Sequence, residues 1–133
     1  MEEVLIDTNI LIYAHEETSN PKTKIAKNIL LECWKGKKIF FISTQNLAEF
    51  INASKKINLK KEEAIAIVNE IMNWPYWKII SYNEKTLEKA MNNENSIFDS
   101  LILETALENN VKAIITENEK DFKTNKIKII NPF

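Results

Sequence analysis

Four acidic residues carry the chemistry this sequence offers: Asp7 in VLIDTNIL, Glu49 in STQNLAEF, Asp99 in SIFDSLIL and Asp121 in TENEKDF. They lie far apart along the chain. Brought together by a fold, such carboxylates raise one another's pKa or require a cation. All are oxygen donors, which suit Mg²⁺ or Mn²⁺, whereas zinc calls for histidine and cysteine. An ion held this way polarises a phosphoryl oxygen and acidifies water for in-line attack. No serine, cysteine or histidine nucleophile is then needed, and none is on offer: His15 and Cys33 are single, with no triad motif around them. Metal-assisted phosphodiester hydrolysis is the reaction this residue set suits.

Taken one at a time, the four acids are ambiguous. Asp7 directly follows a short apolar run, and in open parallel sheets ligand sites form at the carboxyl ends of strands. Asp7 also reads as the N-cap of a helix through Ile10, Leu11 and Tyr13. Thr8 and Asn9 add a hydroxyl and an amide that can orient its carboxylate. Thr116 follows a later apolar run at the same edge, with Glu117, Asn118 and Asp121 beyond it. Within that loop Asp121 is the first candidate and Glu117 the alternative. Asp99 falls in the first turn of a helix, where the helix dipole favours a carboxylate by ~0.3–1 kcal/mol whatever its role. Glu49 lies mid-helix, away from Leu47 and Ile51 and beside Asn46 and Ala53, and by itself reads as a solvated glutamate.

The elements that must position these residues alternate. VLI at 4–6, IFFI at 39–42, WKII at 77–80, AII at 113–115 and KII at 128–130 are short, mostly apolar runs. Between them, apolar residues recur at helical spacing. One helix starts near Pro21 and stops at Gly36. A second is capped by Ser43 or Thr44, a third starts near Lys60, a fourth is capped by Asn83, and a fifth spans about 97–109. Buried strands separated by helices predict a three-layer α/β/α sandwich with a mostly parallel sheet.

Bulk properties narrow the class. A chain of 133 residues predicts one domain, 1–133. The 44% hydrophobic and 28% charged fractions are those of an ordinary globule. No apolar run approaches the roughly 18 residues of a membrane span, and the start MEEVLIDT has no signal-peptide character, which predicts a cytoplasmic protein with no membrane contact. The lone Cys33 excludes an internal disulfide and a CxxC site, and reads as a small buried hydrophobe. A formal charge of -1 gives no overall pull toward nucleic acid, so any phosphate-binding surface must be local. Lysines cluster at 35–38, 55–61 and 120–128, and all 18 basic residues are lysine, so a phosphate contact is a point charge rather than a guanidinium fork. With Gly36 the only glycine, GxGxxG and P-loop motifs are absent. His15 reads as a surface residue rather than a ligand.

Four segments, VLIDTNILIYA, ISTQNLAEF, IFDSLILETAL and IITENEKDF, resemble PIN domains of the VapC toxin type, in the family's order and over nearly the whole chain. The resemblance implies a Rossmann-like α/β/α fold and Mg²⁺- or Mn²⁺-dependent RNA cleavage. It carries metal-ligand and catalytic roles onto Asp7, Glu49, Asp99 and Asp121. Asp7 and Asp99 would be principal ligands; Glu49 and Asp121 would bind a second ion or orient the attacking water. Thr8, Asn9, Thr116 and Asn118 would support them. The residue after Thr116-Glu117 is Asn118 rather than an acid, a departure that leaves the fourth ligand open between Asp121 and Glu117. The resemblance also implies an antitoxin partner covering the acidic site, and a homodimer. Trp34, Trp74, Tyr76 and Trp77 could supply an interface, although core packing is their default.

Two other classes compete. A phosphoacceptor signalling domain needs an Asp after the third strand, where this chain has Ser81. A catalytically inert PIN-like module binding RNA or protein keeps the same fold, and metal uptake separates it from a nuclease.

Overall fold

The computed structural model describes residues 2–133. Five strands form one sheet: β1 (Glu3–Ile6), β2 (Ile39–Ser43), β3 (Trp77–Ile80), β4 (Ala113–Ile115) and β5 (Lys128–Ile130). Six α-helices join them: α1 (Thr8–His15), α2 (Pro21–Trp34), α3 (Thr44–Ala53), α4 (Lys61–Asn73), α5 (Glu84–Met91) and α6 (Ile97–Glu108). The strand order is β3-β2-β1-β4-β5 and every pairing is parallel. This is the expected α/β sandwich, with a sheet that is wholly parallel.

Side-chain alternation along the strands builds both layers. Val4 and Ile6 point to one face, where they join Phe40, Ile42 and Trp77 and meet α1 to α4 through Ile10, Leu11, Leu30, Phe50 and Val68. Leu5 points to the other face, with Ile80 and Ile114, and meets α6 through Ile102, Leu103 and Ala106. Phe40, Ile42 and Phe50 are fully buried, each worth about 1.5–3 kcal/mol by transfer. The four aromatics named as interface candidates mostly pack inward: Trp77 is buried beside Phe40, and Trp34 meets Trp74 edge to face at 4.6 Å.

The helix boundaries follow local chemistry. Asn83 caps α5, accepting from the amides of Lys85 and Thr86. Ser43 caps α3 in a capping box with Asn46. Asparagine replaces glycine at two left-handed turns, Asn58 with φ 62° and Asn110 with φ 56°, which is how a chain with one glycine still stops its helices.

From β1 the chain steps out to β2 and β3, then crosses back to add β4 and β5 on the other side of β1. The direction of winding therefore reverses between β1 and β4. Crevices form outside the carboxyl ends of the strands at such a point.

Candidate functional site

Asp7 and Thr116 stand at that reversal. The β1–β4 register pairs Ile6 with Ile115, so Asp7 and Thr116 leave the sheet side by side. The Asp7 amide donates to the Ile115 carbonyl at 3.0 Å. Asp7 is also the N-cap of α1, its Oδ1 accepting from the Thr8 amide at 2.8 Å. The capping role and the cavity-lining role, alternatives in the sequence, are held by the same carboxylate.

A cavity of about 460 Å³ opens above these residues, and Asp7, Glu49 and Asp99 all line it. Glu49 arrives on α3 and Asp99 on the first turn of α6; both are half-buried, while Asp7 is only 7% exposed. Burial, first of all, pushes the Asp7 carboxyl above its ordinary value. The charges of Glu49 and Asp99 push it the same way, and hydrogen bonds from Thr116 and Thr8 pull against them. A buried carboxylate facing two more acids is a position that a cation relieves.

The hydrogen bonds fix where the Asp7 oxygens point. Oδ1 takes Thr8 N and, at 3.2 Å, Asn46 Nδ2. Oδ2 takes Thr116 Oγ1 at 2.7 Å, with Asn9 Nδ2 at the outer limit of 3.5 Å. Three firm donors leave about one of the roughly four lone-pair positions of a carboxylate uncommitted. Asn9 also donates to Thr116 Oγ1 at 3.3 Å and accepts from the Glu117 amide at 3.2 Å. The Asn118 amide closes on Thr116 Oγ1 at 3.0 Å, and Asn118 itself lines the cavity.

The fourth acid stands elsewhere. Asp121 is exposed on the short 3-10 turn Glu119–Asp121 and is not among the residues lining this cavity. Glu117, the alternative, turns toward α1 and α2, where it accepts from the Tyr13 hydroxyl at 2.7 Å and pairs with Lys22. Burial works against its charge, but Lys22 and Tyr13 prevail and hold Glu117 below the usual carboxylate range. The fourth acid that does line the cavity is Glu16, at the end of α1.

Three residues escaped the sequence reading. Asn46 is fully buried and donates to both Asp7 and Thr8 Oγ1, while its Oδ1 accepts from Ser43 Oγ at 2.7 Å. Its signal was an amide on the apolar stripe of Leu47 and Phe50. Gln45 grips Glu49 at 2.9 Å and the Phe98 carbonyl at 3.2 Å, tying α3 to α6. Glu16 follows Asn9, Ile12 and Tyr13 at helical spacing, which already placed it on their face. His15, expected at the surface, is half-buried, contacts the Leu11 carbonyl through Nδ1 at 2.8 Å and packs on Phe50.

The donor set suits a hard divalent ion. Every polar group on the lining other than Lys56 offers oxygen. Among the described residues no three His, Cys, Asp or Glu side chains close into a finished cage.

A family model described as PIN domain matches residues 4–127. Among solved structures, a toxin-antitoxin complex from Klebsiella pneumoniae is similar at 25% identity and TM-score 0.66, covering 98% of this chain and 98% of that one. VapBC2 from Rickettsia felis, bound to a DNA fragment of its promoter, is similar at 20% identity and TM-score 0.66, covering 97% and 98%. The sarcin-ricin loop cleaving toxin VapC20 of Mycobacterium tuberculosis matches at 12% identity and TM-score 0.65, covering 92% of each chain. At these lower identities the last two speak for the fold alone. No curated protein matches the chain.

Proposed function

Because the chain belongs to the PIN domain family, we propose that it is a metal-dependent endoribonuclease hydrolysing RNA phosphodiester bonds, and the toxin of a VapBC-type toxin–antitoxin pair. The observation that carries this reading is the meeting of Asp7, Glu49 and Asp99 on one cavity at the carboxyl edge of the sheet. Support for an antitoxin partner comes from the Klebsiella complex, matched over nearly the full length of both chains. The reading includes a homodimer acting in the cytoplasm, with residues 1–133 as one domain.

Asp7, Glu49 and Asp99 would hold Mg²⁺ or Mn²⁺, which supplies Lewis acidity toward a phosphoryl oxygen and acidifies water. Asp7 contributes the lone-pair position that its three firm donors leave open, on the Oδ2 that Thr116 holds. Asn46, Thr116 and Thr8 keep that oxygen aimed at the cavity, with Asn9 bracing Thr116. Glu49, steadied by Gln45, and Asp99, steadied by Ser96, face Asp7 and are placed to orient water or a further ion. Asn118 and Lys56 on the lining offer an amide and an ammonium to the substrate. For the fourth acid, Glu16 and Asp121 are distinguished by substitution.

The test is ribonuclease activity and Mn²⁺ calorimetry on wild type, Asp7→Asn, Glu16→Gln and Asp121→Asn. Wild type should cut RNA only without chelator, and Asp7→Asn should lose at least 100-fold, on the order of the ~10²–10³-fold effect of deleting one key electrostatic group. Whichever of Glu16→Gln and Asp121→Asn weakens Mn²⁺ uptake identifies the fourth ligand. Equal rates in wild type, chelated and Asp7→Asn samples remove the mechanism, and absent Mn²⁺ uptake leaves an inert PIN-like binding module.

A further inference from the structure

The acid cavity has the wrong sign for the rest of a phosphate chain. Asp7, Glu16, Glu49 and Asp99 line it against Lys56 alone. A second cleft, of about 660 Å³, opens between the end of α5, the middle of α6 and the segment leading to β5. There the balance reverses: Lys89, Lys123 and Lys126 stand against Glu94 and Glu104, among amide and hydroxyl side chains. Lys123 and Lys126 are exposed and, among the described residues, make no ion pair. Lys89 reaches Glu108 only at 3.9 Å.

Cleft and cavity share one helix. Leu103 lines the cleft four residues beyond Asp99, about 6 Å of helix rise. The α5–α6 loop fixes both places. Ser96 Oγ donates to Asp99 Oδ2 at 2.6 Å. Asn95 accepts from the Lys123 amide at 2.8 Å and donates to its carbonyl at 3.4 Å. The loop therefore holds the Asp99 carboxylate, on the acid cavity, and the Lys123 backbone, on the cleft, in fixed relation.

We propose that this cleft binds the backbone phosphates of single-stranded RNA next to the bond that is cut. Calling the bound strand a substrate rests on the ribonuclease reading, but the binding itself does not. Each lysine acts as a point charge on one phosphate, so it contributes about 0.7 to the slope of log K against log salt for a single strand. Removing both free lysines lowers the slope by about 1.4 and weakens binding roughly tenfold near 150 mM salt.

The experiment uses the full chain in EDTA, so that nothing is cut, with a fluorescein-labelled oligouridine followed by anisotropy from about 50 to 200 mM KCl. Lys123→Ala/Lys126→Ala should show the reduced slope. Lys24→Ala/Lys27→Ala, on the exposed side of α2, should keep the wild-type slope, and unchanged thermal midpoints exclude misfolding of either pair. Inorganic phosphate at constant ionic strength should compete only weakly. An unchanged slope in the cleft variant, an equal loss in the α2 variant, or displacement by phosphate as effective as by unlabelled RNA overturns the proposal. If wild type cuts RNA while the cleft variant binds normally, only the cleft assignment fails. If the cleft binds as described while wild type and Asp7→Asn are equally inactive, only the ribonuclease reading fails.

Discussion

Asp7 carries the sharpest conflict in the molecule, because the fold buries a carboxylate that the proposed chemistry needs ionised. Its pKa is raised by desolvation, and the native state therefore holds a proton that the unfolded chain releases nearer 3.8. Between that value and the raised one the native state binds more protons, so stability falls as pH rises through the window. Asp7→Asn cannot titrate. Its thermal midpoint relative to wild type should climb between pH 4 and pH 8 in chelator. A difference that stays flat with pH would mean that Asp7 ionises as an exposed carboxylate does. Cys33 illustrates burial without function: desolvation first of all pushes its thiol up to about 12, and it sits fully enclosed.

At the scale of elements, the α6 N-terminus couples stability to the site. Ser96 caps the helix, accepting from the Asp99 amide at 3.4 Å, while its hydroxyl holds the Asp99 carboxylate. Ser96→Ala should cost about 1 kcal/mol in urea unfolding, the usual loss of a cap. It should also weaken Mn²⁺ affinity by about 10-fold, as removal of a ligand's supporting hydrogen bond does. Ser96→Thr should recover both. If affinity survives the alanine change while stability drops, the serine serves the helix alone. All five strands were legible because each is a short run rich in apolar residues, broken only by the exposed Lys78 and Lys128 on the two edge strands. The 3-10 turn carrying Asp121 was not, since three residues of mixed polarity carry no period.

At the scale of the whole molecule, an ion at the proposed site would relieve the like charges around the cavity and stabilise the folded state. A divalent ion that binds only the folded chain stabilises it by ~2.7 kcal/mol at one hundred times its dissociation constant. The thermal midpoint of wild type should therefore rise with Mn²⁺, and the pH slope attributed to Asp7 should flatten, while Asp7→Asn responds to neither. A midpoint indifferent to Mn²⁺ in wild type would show that no ion is taken up there. Among the described helices none is long and apolar enough to cross a membrane.

Local pattern alone determined which segments are strands and helices, that Asn83 starts its helix, that the helix after the second strand starts at Ser43 or Thr44, and that Asp7 lies at a strand's carboxyl end. These follow from period and capping, which act over a few residues. Tertiary structure decided the rest. The β1–β4 register set Thr116 against Asp7, and the packing of α3 and α6 on opposite layers brought Glu49 and Asp99 to the same cavity. The path of the chain after β4 turned Glu117 onto Lys22 and left Asp121 outside, while α1 delivered Glu16. Direction in space depends on contacts between residues some hundred positions apart, and no local period encodes them.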